Sequence, residues 1–179
     1  MSTIPENYIE KMTPADFEIT VRDYIASLGK QLQDFTVAHD VRLVGSDGVY
    51  QIDVLASYTA LGVKMMVLIE CKHYSSPVPR EKIQILYDKM RSTGAQKGIL
   101  FSTAGFQDGA IEYALRHKIA LIRMLSDRFE NVTNKIKKDN STRLLPIQGA
   151  KMMGEFLSPG QTGYIKPGKI GALISYLSA

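Results

Sequence analysis

The 179-residue sequence predicts an α/β protein, a mixed β-sheet flanked by helices in the order αβββαβαβ. Three observations lead there. Apolar residues at helical spacing alternate with short extended runs, and a Gly45-Ser46-Asp47-Gly48 turn joins two of those runs into a hairpin. Met65-Met66-Val67-Leu68-Ile69 is apolar on both faces, the pattern of a central strand covered above and below. An antiparallel three-strand start followed by strand–helix alternation implies right-handed parallel crossovers, with helices on both faces of the sheet.

The first helix opens at Thr13-Pro14-Ala15-Asp16. Thr13 is the N-cap, Pro14 fits the first turn, and Asp16 completes a variant of the capping box. Phe17, Val21, Tyr24, Ile25 and Leu28 recur at helical spacing, and Gly29 stops the run. Residues 34–44 are extended, and 49–57 form the returning strand of the hairpin. Leu61-Gly62 marks the next turn, before the buried strand from Lys64 to Lys72. A second helix starts at Pro79, carries Ile83, Leu86, Tyr87 and Met90 on one stripe, and ends before Gly94. A short buried strand at 98–102, a helix at 106–117 and a strand at 119–124 complete the pattern. Beyond Asp127 a short helix is expected at 129–138, irregular chain at 139–169 where Gly, Pro, Ser and Thr are frequent, and a small apolar element at 170–177. The expected organisation is one domain over residues 1–126, with a basic C-terminal extension of no assigned fold at 127–179.

Hydrophobic residues at 45% and charged residues at 22% give enough apolar material for a core. One cysteine excludes an internal disulfide framework and fits a reducing compartment. No apolar run has bilayer-spanning length, and the first residues lack a secretory signal, so a cytoplasmic protein with no membrane partner is expected. The net charge of +4 is unevenly spread: residues 131–179 hold seven Lys and Arg against two acidic residues. A basic tail on a near-neutral body is compatible with phosphate contacts, although Lys135, Lys137 and Lys138 also suit a solvated helix face.

The chemistry concentrates at three positions. Asp53 sits in mid-strand among Ile52, Val54 and Leu55, where a charge is costly unless it is paired or binds metal. The buried strand ends in Glu70-Cys71-Lys72, and side-chain alternation puts Glu70 and Lys72 on one face and Cys71 on the other. If the two strands are hairpin neighbours, Asp53 lies across from Glu70. Two carboxylates can hold Mg²⁺, which acidifies a water and polarises a phosphoryl oxygen, while a lysine orients that water or stabilises charge on phosphorus. A structural ion-pair network at the end of a sheet is the competing reading.

The surrounding text makes the resemblance specific. Asp16-Phe17-Glu18 in the first helix, Gly48 to Asp53, Ile69 to Lys72, Gly94 to Gly98 and Phe101 to Phe106 together resemble the Mrr-like restriction endonuclease domain of the PD-(D/E)xK nuclease superfamily, over roughly residues 13–124. The resemblance implies a restriction-endonuclease-like fold with an αβββαβ core. It implies that Asp53, Glu70 and the Cys71 backbone carbonyl hold Mg²⁺ (or Mn²⁺), that Lys72 assists the nucleophile, and that Glu18 and Gln84 are further site residues. Glu18 would reach the site directly or through water; Gln84 would orient a ligand or touch backbone phosphate. The family often has Gln where Glu70 stands, and often begins the upstream motif as Gly-x-Asp.

The activity so implied is a metal-dependent endodeoxyribonuclease, type IV restriction-like, acting on double-stranded DNA. Cutting both strands takes two sites, so a homodimer is expected. Residues 130–179 are short for a reading domain, which leaves room for a separate target-recognition subunit. Two alternatives stay open: a catalytically inert DNA-binding or assembly module, and a junction-resolving or repair nuclease. Other motifs lead elsewhere. Cys71 reads as a buried small hydrophobe, His73 as an exposed loop histidine, and Ser102-Thr103 as a helix cap. His39 and His117 lack zinc-ligand spacing, and Gly105 to Gly109 lacks the Lys-Ser/Thr of a nucleotide loop.

Overall fold

Thr13 caps the first helix, α1 (Pro14–Gly29), in the computed structural model of the chain, which describes residues 11–126, 152–158 and 161–165. Its hydroxyl accepts from the Asp16 N–H, and the Asp16 carboxylate accepts from the Thr13 N–H, so two otherwise orphaned donors are satisfied. Gly29 is the last helical residue, but its role differs from the expected stop signal. Its backbone is not left-handed; a Cβ at this position would run into the Phe35 ring. Close approach of the next strand, not a turn, requires glycine here.

The strands are β1 (Gln33–Val44), β2 (Val49–Ala60), β3 (Val63–Lys72), β4 (Lys97–Ser102), β5 (Ala120–Ser126), β6 (Met152–Ser158) and β7 (Gln161–Ile165). They form one seven-stranded sheet in sequence order. β1, β2 and β3 are antiparallel, β3, β4 and β5 parallel, and β5, β6 and β7 antiparallel. The two parallel crossovers carry α2 (Arg80–Thr93) and α3 (Asp108–Arg116). Gly94 ends α2 in the left-handed conformation, φ 72°, with its N–H on the Met90 carbonyl.

β6 and β7 fall inside the stretch expected to be irregular. Turn-type residues dominate its composition, yet Met152 to Ser158 and Gln161 to Ile165 are short extended runs separated by Pro159-Gly160. β5 would otherwise present an unpaired edge, and β6 satisfies it. The helix expected at 129–138, the element at 170–177, and Lys135, Lys137 and Lys138 lie outside the described residues.

Two apolar layers sandwich the sheet. Phe17, Val21 and Leu28 of α1 pack with Val54, Val67, Ile69 and Phe101 on one face. Ile83 and Leu86 of α2 pack with Ala110 of α3 and with Ile52, Leu68, Leu100 and Leu121 on the other. β3 is buried on both sides, as its continuous apolar run requires. Among the described residues no helix is long and apolar enough to cross a membrane.

The β1–β2 hairpin changes face partway along. Val54, Ala56 and Tyr58 belong to the α1 layer, but Ile52 and Tyr50 pack with α2. Strict alternation would keep these even-numbered residues on one side. The exchange occurs at Asp53, opposite Asp40, a non-glycine residue with φ 53°. The outer half of the hairpin then lies against the end of α2. There Ser46 N–H donates to the Ser92 carbonyl at 2.9 Å, and the Ser92 hydroxyl donates to Asp47.

Leu86 is fully buried, whereas its neighbour Ile85 is 48% exposed. Leu86→Ala is expected to lower unfolding free energy in urea by about 2–5 kcal/mol, and Ile85→Ala by less than about 1 kcal/mol. Equal losses at the two positions would contradict this docking of α2.

Candidate active site

β2 and β3 pair as far as Val54 opposite Ile69, and there the ladder ends. One residue further, in the fork, stand Asp53 and Glu70. Asp53 does not continue the ladder with its backbone. Its carboxylate Oδ2 accepts from the Cys71 N–H at 2.7 Å, capping a donor on β3 that the departing strand leaves unpaired. Beyond this point β3 continues beside β4 alone, with Glu70 opposite Leu100 and Lys72 opposite Ser102. The fork thus lies at the carboxyl end of the parallel strands, where open α/β sheets form their crevices.

Glu70 and Lys72 share a face, as expected from the alternation, and Lys72 Nζ donates to Glu70 Oε2 at 3.0 Å. The same ammonium lies 3.2 Å from the Cys71 carbonyl oxygen and 3.7 Å from Asp53 Oδ2. Three oxygen donors from two strands therefore converge on one cationic point. Cys71 turns its side chain the other way, into the α1 layer. Burial pushes its thiol well above the ordinary value, which suits a small buried hydrophobe and not a nucleophile.

Glu70 is only 5% exposed. A buried carboxylate needs compensation, and it receives two cations: Lys72 on Oε2, and Lys89 of α2 on Oε1 at 2.5 Å. Lys89 also donates to the Gln51 carbonyl at 2.8 Å. With Asp53 the four charges cancel. Burial raises the Asp53 pKa and Glu70 adds to the rise, while the Cys71 N–H and Lys72 oppose it. Burial works against the Lys72 charge, but Glu70 and Asp53 outweigh it, so its pKa is raised and the group remains an ammonium at neutral pH.

Glu18 approaches from the α1 side. Its carboxylate meets His39 Nε2 at 2.8 Å, and its charge is among those that raise the Asp53 pKa. Gln84 is exposed on α2 and its side chain forms no hydrogen bond with a described residue; that helix meets Glu70 through Lys89. His39 and Lys89 are the residues that sequence reasoning missed. Parity was available for His39, which shares the inward phase of Phe35 and Val37. For Lys89 the sole signal was its place beside Met90 on the flank of the buried stripe.

Two expectations change, at His73 and at Ser102-Thr103. His73 is half-buried, its ring edge-on to Phe17 at 5.9 Å, because the chain leaving β3 passes the start of α1. Ser102 and Thr103 do not cap α3, whose N-cap is Gln107. Ser102 instead accepts from the Ala104 N–H at 3.1 Å. Thr103 joins the segment after β3, donating to the Tyr74 carbonyl at 2.8 Å and accepting from its N–H at 3.0 Å. His117 lies between the Tyr87 and Tyr113 rings, at 4.2 and 4.1 Å, and has no part in the fork.

Among the described residues no three His, Cys, Asp or Glu side chains cluster as a metal cage. The donor set at the fork is two carboxylates and a carbonyl, all hard oxygens. It fits an ion that keeps several of its own waters, such as Mg²⁺ or Mn²⁺, better than a soft-ligand zinc site.

Comparison with known proteins finds one matching family model and several similar proteins. The Mrr_cat family model, a restriction endonuclease, matches residues 9–126. Over 109 residues the chain is 28% identical to the type IV methyl-directed restriction enzyme EcoKMrr of Escherichia coli (strain K12). That match covers 61% of this chain and 34% of that enzyme, so the chain spans about a third of its relative's length. Two solved structures are also similar. A protein of unknown function, AF1548, is 23% identical with a TM-score of 0.49, over 58% of this chain and 54% of that one. The DNA modification-dependent restriction endonuclease AspBHI is 18% identical with a TM-score of 0.47, over 68% of this chain and 33% of that one.

The raised Asp53 pKa has a sign that stability measurements can read. A carboxylate with a raised folded-state pKa favours folding while protonated, and that advantage is lost as pH rises from its ordinary value of 3.8 through the folded value. In EDTA, the urea midpoint of Asp53→Asn relative to the parent is therefore expected to climb across that window and level off once the pH exceeds the folded value. A relative midpoint that stays flat or declines there would count against the electrostatics described.

Proposed function

Since the chain belongs to the Mrr catalytic-domain family of restriction endonucleases, we propose that it hydrolyses phosphodiester bonds of double-stranded DNA with a divalent cation, Mg²⁺ or Mn²⁺. The observation that carries this reading is the convergence of Asp53 Oδ2, Glu70 Oε2 and the Cys71 carbonyl on one ammonium. Oxygens that gather around one cation are suitably arranged for another, and these three are the proposed metal ligands. Bound there, such an ion supplies Lewis acidity toward the phosphate and acidifies a water.

The chain's own groups supply the rest. Lys72, held as an ammonium by two carboxylates, is a hydrogen-bond donor and not a proton acceptor. Its proposed role is to orient the attacking water and stabilise the charge that builds on the phosphate oxygens. Asp53, fixed by the Cys71 N–H, and Glu70, fixed by two amines, need little reorganisation when substrate arrives. Glu18, anchored by His39, adds negative charge on the α1 side and reaches the site through water. Gln84, exposed one turn into α2, contacts backbone phosphate outside the reacting centre.

The substrate class follows from the relationship to EcoKMrr, a methyl-directed enzyme: the proposed substrate is duplex DNA carrying modified bases. A second copy of the chain is proposed to cut the opposite strand, and a separate recognition subunit or segment to read the target.

Supercoiled plasmid provides the test. With Mg²⁺ the parent is expected to nick it, and Lys72→Ala to lose about 10²–10³-fold, the usual loss for one donor to a charged transition state. A purified Lys72→Ala protein that nicks at the parental rate defeats the reading. At Gln84 the expectation is different: Gln84→Ala raises KM for DNA and leaves kcat within about twofold, as loss of a phosphate contact away from the chemistry should. A large kcat loss with KM unchanged would place Gln84 in the reaction instead.

A further inference from the structure

Past Val54 and Ile69 the β2–β3 ladder is open, and two side chains bridge the gap. Asp53 crosses to the Cys71 N–H. From the other side Lys89 reaches in from α2, donating to the Gln51 carbonyl of β2 and to Glu70 Oε1 of β3. Lys89 thus holds the oxygen of Glu70 that Lys72 leaves free, and ties it to the strand that carries Asp53 two residues later. Among the described residues these are the fork's shortest links between β2 and the Glu70 carboxylate.

We propose that Lys89 is a positioning residue: by bridging Gln51 and Glu70 it sets the spacing of the two carboxylates and turns Glu70 Oε2 toward the point where Asp53 and the Cys71 carbonyl converge. The inference rests on the metal reading above and adds a consequence that reading lacks. Lys89 is also a fixed positive charge beside a site for a doubly charged cation. Coulomb repulsion at a separation of roughly 6 Å, even with water-like screening, weakens divalent binding about tenfold. Orientation acts in the opposite sense, since loss of a partner that orients a metal ligand typically costs about 10–100-fold in metal affinity or activity, and here turnover carries that cost. The protein therefore holds its ion less tightly and uses it better.

Removing Lys89 separates the two effects. Lys89→Met is expected to bind Mn²⁺ about tenfold more tightly than the parent in calorimetry without DNA, and to nick plasmid about 10–100-fold more slowly at saturating Mn²⁺. Lys89→Arg, which keeps charge and donors, is expected to move both values back toward the parent. A residue serving the fold alone would weaken binding and turnover together, and that result, or no change in either, overturns the proposal. If Lys89→Met does not fold, Lys89→Gln serves: it drops the charge and keeps an N–H donor, so tighter Mn²⁺ binding is again expected, and unchanged or weaker binding overturns the proposal. Parent protein lacking any Mn²⁺ heat that Asp53→Asn abolishes would remove the metal reading and this inference with it. Normal parental binding with an unaltered Lys89→Met protein removes this inference alone.

Discussion

Glu70 is a carboxylate near the end of β3, in the half of that strand buried on both faces, and most of the local architecture compensates for it. An isolated charge in that position would cost several kcal/mol after relaxation. Two ammonium groups offset the cost, one two residues along the same strand and one from the helix packed above it. Each imposes a condition on the chain. Lys72 reaches Glu70 because the two share a face of β3. Lys89 reaches it because Leu86 and Met90, on the same helix, are buried against the sheet and fix the helix's rotation. Loss of the apolar docking would leave the charge cluster without its second cation.

The same constraint explains the behaviour of β2. A strand that continued its ladder past Val54 would bring a second carboxylate beside Glu70 with no space between them. Instead β2 changes face at Asp53, the ladder opens, and the Asp53 side chain replaces a backbone hydrogen bond. The opening leaves three oxygens outside the ladder, gathered on the Lys72 ammonium. The outer hairpin then rests on the end of α2 through Ser46, Asp47 and Ser92, so the fork is closed at its far end by the helix that supplies Lys89. A cluster of four charged groups taken out of water is a local cost in stability even when the charges balance.

Much of this was legible in the sequence, and the limits are physical. The capping box at Thr13 and Asp16, the helix end before Gly94 and the two-faced β3 depend on local rules, and they stand as read. Asp53, Glu70 and Lys72 come together because strand periodicity and hairpin adjacency are enough to predict it. Lys89 was not legible: its contact depends on the rotation of a helix across a sheet, which spacing along one element does not encode. The strands β6 and β7 were hidden by the Gly, Pro and Ser around them, since an edge left by β5 is a tertiary demand. Ser102 and Thr103 looked like caps because their chemistry suits caps; in the fold they are taken up by the segments that follow β3 and β4.

The proposed chemistry requires a shared focus of three oxygens able to exchange an ammonium for a divalent ion. A crystal of the protein soaked in Mn²⁺ and measured for anomalous scattering addresses that point directly. The expected result is a peak bounded by the carboxylates of Asp53 and Glu70 and the carbonyl of Cys71, with Lys72 displaced from its present position between them. An anomalous map with no peak at the fork, or with manganese held elsewhere while Lys72 keeps all three oxygens, would contradict it.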